Sequence, residues 1–180
     1  MAEKKRRGRR AYLSDFQPQL DGKYVYTGAL HYYEGADRKR SMALLWGLTA
    51  ALAAGALVPG LVRAAGMDNH FYVILPWAAE LMAAVSVVWA MCRLSVGGDP
   101  LRDYIFEATV AVLPLRAAIS AGLAVLTLAG ECVYLFLNGP GEKLPGTVAL
   151  VAAQAVLILS ALGLRKAISG LRWSEERPEL

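Results

Sequence analysis

The stretch from Phe71 to Cys92, FYVILPWAAELMAAVSVVWAMC, is apolar throughout except for one carboxylate, Glu80, near its middle. Its 22 residues, at 1.5 Å rise each, reach about 33 Å, enough to cross a hydrocarbon core of about 30 Å. A carboxylate at that depth costs roughly 2.5 to 3.5 kcal/mol on insertion scales unless it is protonated or paired. The stretch therefore reads as a spanning helix, and Glu80 as a residue in need of partners.

Three further apolar blocks follow the same logic. Ser41–Val62 carries no charge and begins directly after Arg38, Lys39 and Arg40, and Ala117–Leu137 and Thr147–Leu164 complete the set. Only 19% of the residues are charged, below the roughly 25% of a soluble domain, and the blocks leave no room for a second folded domain. The expectation is an all-α membrane protein, a four-transmembrane-helix bundle with spans at 41–62, 71–92, 117–137 and 147–164. Ala51 and Gly55 form a small-xxx-small pair at which another helix could approach closely.

Charge sets the threading. With both termini cytoplasmic, Lys and Arg divide as ten in residues 1–40, three in the middle cytoplasmic region and four in the tail 165–180, so 17 of 19 lie on one side. Only Arg63 and Lys143 remain for the outer loops, which by the positive-inside rule predicts a multi-pass protein of an inner (plasma) membrane. The run MAEKKRRGRR is then expected on anionic lipid headgroups rather than on nucleic acid. In the rest of the leader, which is not a spanning segment, KYVYT and ALHYY read as short extended segments that suit a small hairpin, interfacial tyrosine anchors or a docking surface for a protein partner. Trp173 in the tail reads as an interface anchor.

Between the second and third spans, Gly97-Gly98 breaks the chain, Asp99 suits an N-cap and Pro100 the first helical position. Leu101, Tyr104, Ile105, Ala108 and Val112 then share one helical face, with Arg102, Asp103 and Glu107 opposite. This predicts a short amphipathic interfacial helix over 100–113, ended by Pro114.

Polar residues inside the spans define the candidate site. Counted from the outer helix ends, Glu80, Glu131 and Gln154 lie about 14, 9 and 11 Å deep, one layer of the outer half-membrane. Ser120, Thr127, Glu131 and Tyr134 form a single stripe on the third span. Glu80, Glu131, Gln154, Thr127 and Tyr134 are thus the candidate site residues in two competing senses: hydrogen bonds that fix helix packing, or a pocket for a cation or proton. An alternative partner for one glutamate is Arg63. Asp68, Asn69 and His70 read as a solvated loop.

No GxSxG, HExxH, paired CxxC or glycine-rich phosphate loop is present, and Cys92 and Cys132 fall near opposite membrane faces. The expectation is a non-enzymatic accessory subunit of a membrane complex, without cofactor or metal. The alternative is a small cation or proton-coupled transporter using Glu80 and Glu131.

Overall fold

The computed structural model describes residues 15–18, 24–35, 37–139 and 141–176; the basic run 1–10 and the last four residues lie outside the described residues. The helices are α1 (Arg38–Leu61), α2 (Phe71–Val96), a short α3 (Asp103–Ala108), α4 (Leu113–Asn138) and α5 (Leu144–Ser169). Four of them are long and apolar enough to cross a membrane, as the apolar blocks predict. Their ends overrun those blocks because polar caps and prolines carry helix into the interface. Asp37 Oδ1 accepts from Arg40 N at 3.0 Å and starts α1 three residues early. Pro114 and Pro145 sit in the first turns of α4 and α5, where a missing N–H leaves no bond unmade.

The long helices form a closed ring in which α1 packs on α2 and α5, and α4 packs on α2 and α5. Leu45, Leu52, Val87, Met91, Leu94, Leu113, Leu157 and Leu164 fill its interior. Small residues bring backbones together: a Cβ on Gly55 would lie 2.8 Å from the Ala153 carbonyl oxygen, and one on Gly130 2.5 Å from that of Tyr72. Outward faces carry large apolar side chains, including Met82 at 71% and Phe136 at 91% exposure. Such continuous apolar surface suits lipid and would aggregate in water.

One end of the bundle carries a sheet that hydropathy did not predict, so the fold is not purely α. Strand β3 (Leu30–Tyr33) lies between β4 (Leu101–Arg102) and β5 (Trp173–Glu176), antiparallel to both, with Leu30 opposite Arg102 and Tyr33 opposite Trp173. A separate ribbon pairs β1 (Phe16–Pro18) with β2 (Tyr24–Tyr26). The segments around KYVYT and ALHYY are thus extended, but they do not form a hairpin with each other. β2 pairs back with β1, and β3 with the remote β4 and β5.

Aromatic packing holds the sheet to the bundle. His31 stacks on Phe106 at 4.0 Å, Phe106 meets Trp173 edge-on at 5.7 Å, and Trp173 meets Tyr33 at 5.4 Å. His31 Nε2 lies 3.0 Å from Asp103 Oδ1. Tyr26 donates its hydroxyl to Ala29 O at 3.2 Å and accepts from Asp103 N at 3.1 Å. Burial pushes the Tyr26 phenol above its usual range, which keeps that hydroxyl a donor. Phe106, Leu171 and Trp173 pack in turn on the bundle core. Trp173 is therefore a sheet residue and not a lone interface anchor.

The helix expected over 100–113 is also replaced. Leu101 and Arg102 are drawn into extended pairing with β3, α3 covers only Asp103–Ala108, and Thr109 at φ −123°, ψ −81° breaks the helix. Pro114, read from the sequence as a stop, opens α4 instead. Because β3, β4 and β5 come from the leader, the α2–α4 connection and the tail, these three segments share one face of the bundle. The α1–α2 and α4–α5 connections meet at the other, where Lys143 and Asp68 form an ion pair.

Candidate functional site

The polar residues singled out from the sequence fall at two levels. Helix α5 begins at Leu144, earlier than its apolar block, so Gln154 is about 15 Å from the helix start and level with Glu80 at about 14 Å. Glu131 lies nearer the end of α4, at about 10 Å. What the sequence placed in one layer is thus divided between two nodes.

The deeper node ties three helices. Glu80 on α2 is fully buried; its Oε1 accepts from Gln154 Nε2 on α5 at 3.1 Å, and its Oε2 from Thr127 Oγ1 on α4 at 3.0 Å. Since α2 and α5 face each other across the ring, the Glu80–Gln154 bond spans the bundle diagonal. Thr127 has a single hydroxyl hydrogen and two acceptors, because Leu123 O lies 3.1 Å from the same oxygen. Gln154 is fully buried, and its Oε1 has no hydrogen-bond partner among the described residues.

The shallower node anchors a loop. Ala64, Ala65 and Gly66, at the start of the α1–α2 connection, are buried against α4 and α5, while Asp68 and Asn69 beyond them are exposed as expected. Gly66 N donates to both Glu131 oxygens, at 3.2 and 3.1 Å. Thr147 Oγ1 donates to Glu131 Oε1 at 3.1 Å and accepts from Ala65 N at 3.1 Å. A Cβ on Gly66 would run into Glu131 Oε2, so only glycine lets the turn approach this closely. Sequence reasoning missed Gly66 and Thr147. A backbone N–H leaves no signature in the sequence, although a threonine one turn inside an apolar helix was a usable signal.

The other named residues stand apart from both nodes. Tyr134 packs edge-on against His70 at 4.6 Å instead of joining Glu80. Ser120 is buried and bonds back to Arg116 O at 3.1 Å within its own helix. Arg63 is exposed, and among the described residues no cation lies within ion-pair distance of either glutamate. The described residues also contain no group of three or more His, Cys, Asp or Glu arranged to hold a metal ion. The arrangement can brace helices through charge-assisted or neutral hydrogen bonds, and the spare acceptor on Gln154 is its one incomplete feature.

In comparisons with known proteins, no family model, no curated protein and no solved structure matches the chain.

Proposed function

We propose that this multi-pass membrane protein is a non-enzymatic accessory subunit, with both termini and the sheet on the cytoplasmic side of an inner membrane, and that it engages a protein partner through the sheet. The observation that carries this reading is the sheet itself. Three segments remote in sequence are folded together on the face that holds most of the Lys and Arg among the described residues, and Tyr24 and Tyr32 remain exposed there. Cytoplasmic orientation follows from the positive-inside rule. Both glutamates support the reading in a negative sense, since donors from neighbouring helices and from the α1–α2 connection already occupy their oxygens.

The second reading, a cation or proton-coupled transporter using Glu80 and Glu131, is favoured by the buried, unpaired Gln154 Oε1 beside Glu80. The two separate in one experiment. Cross-linking and affinity purification from the native membrane should lose a specific partner by about tenfold or more in the Tyr24→Ala/Tyr32→Ala variant, with its melting temperature unchanged. The Glu80→Gln/Glu131→Gln variant should retain that partner. A partner that survives the tyrosine changes, together with pH-driven uptake that the glutamine variant abolishes, would favour transport instead.

A further inference from the structure

The last turns of α2 and the start of α3 enclose a groove of about 400 Å³, lined by Trp89, Cys92, Arg93, Val96, Gly97 and Ile105. Trp89 and Val96 are among the most exposed apolar side chains of the helix. From the start of α2, Trp89 lies about 27 Å along the axis and Arg93 about 33 Å, so the groove runs from the hydrocarbon to its border. Trp89 lies on the hydrocarbon side of Arg93, and Val96 and Gly97 lie past it toward the headgroups.

Arg93 is the arginine that lines the groove. Arg38 pairs with Asp99 at 3.5 Å, Arg116 donates to Ser86 O at 2.7 Å, and Arg102 lies over the rings of Phe16 and Tyr26. Arg93 rests 5.9 Å from the Tyr104 ring centre, and among the described residues no carboxylate lies within ion-pair distance of it. The groove lining contributes no acid either. A guanidinium without an anionic partner among the described residues, at the headgroup level and beside an apolar groove, matches a lipid phosphate above its own hydrocarbon tail.

We propose that this groove is a binding site for an anionic phospholipid, its headgroup on Arg93 and the upper part of one acyl chain against Trp89. The inference requires only that the chain spans a bilayer. It is independent of which face is cytoplasmic and of the accessory-subunit reading.

The test uses the full chain in phosphatidylcholine vesicles containing one of two brominated quenchers at equal fraction, phosphatidylglycerol or phosphatidylcholine. Trp89 emission is isolated by subtracting the Trp89→Phe variant in each background. One basic residue near the surface implies about fivefold local enrichment of the anionic lipid, so brominated phosphatidylglycerol should quench Trp89 correspondingly more. Arg93→Gln should remove the preference and Arg93→Lys should keep most of it. Equal quenching by the two lipids, a preference that survives Arg93→Gln, or a Trp89 shielded from both lipids by a second copy of the chain would each overturn the proposal.

Discussion

Glu80→Ala should lower the unfolding free energy by about 2 to 4 kcal/mol, whereas Glu80→Gln should cost about 1 kcal/mol or less. The difference follows from which groups each change leaves unpaired. In the alanine variant Thr127 falls back on Leu123 O, which it already touches, but Gln154 loses the one bond it makes and stays fully buried. An unsatisfied buried amide costs about 1 to 3 kcal/mol, and the missing carboxyl leaves a cavity on the bundle axis that adds to it. Glutamine restores every contact: its carbonyl accepts from Gln154, its amide donates to Thr127 Oγ1, and Thr127 turns its hydrogen to Leu123. Titration of the protein in mixed micelles with dodecyl sulfate, followed by tryptophan fluorescence, measures both values. Glutamine as damaging as alanine would mean that a charge, and not a hydrogen bond, is needed at this site.

Gly55→Leu should be the most damaging single change along α1, at about 3 kcal/mol or more. Any side chain at this position meets α5 backbone, with the Ala153 carbonyl and Leu157 Cβ both 2.8 Å from the first carbon added. Neither atom can rotate away, so α1 and α5 must separate along their whole contact. Gly47 supplies the control, because an added Cβ there has nothing within 4 Å and the position is exposed. Gly47→Leu should be neutral, or stabilising by up to about 1 kcal/mol, because leucine is the better helix former. The same micellar titration compares the two variants.

What could be read from the chain depended on where each residue's partner lies. Hydropathy placed all four spans, since lipid imposes one requirement on every residue in a run. It did not place their ends, because Asp37, Pro114 and Pro145 act through helix-end chemistry that hydropathy ignores. Residues 101–102 were misread as helix for a different reason: their apolar periodicity is real, but the β3 pairing that overrides it comes from some 70 residues upstream. The tyrosine-rich leader read as extended, with a small hairpin, interfacial tyrosine anchors or a docking surface left open, whereas β3 joins the α2–α4 connection and the tail, partners too remote in sequence to be read from it. Among the polar residues, Glu80, Thr127 and Gln154 stood out because each interrupts an apolar run, and the structure brings the three together. The Glu131 node was half legible. Its carboxylate was conspicuous, but one of its donors is the backbone of Gly66, in a loop that looked solvated.

Four passes through a bilayer put the sheet at one face and residues 62–70 and 141–143 at the other, and both functional proposals depend on that threading. Labelling with a membrane-impermeant maleimide tests this most directly, using single-cysteine variants in a background with Cys92 and Cys132 replaced by serine. In intact cells Asp68→Cys and Glu142→Cys should label together, while Glu34→Cys and Glu176→Cys should label only after the membrane is permeabilised. Labelling of Glu34→Cys or Glu176→Cys alongside Asp68→Cys in intact cells would contradict it.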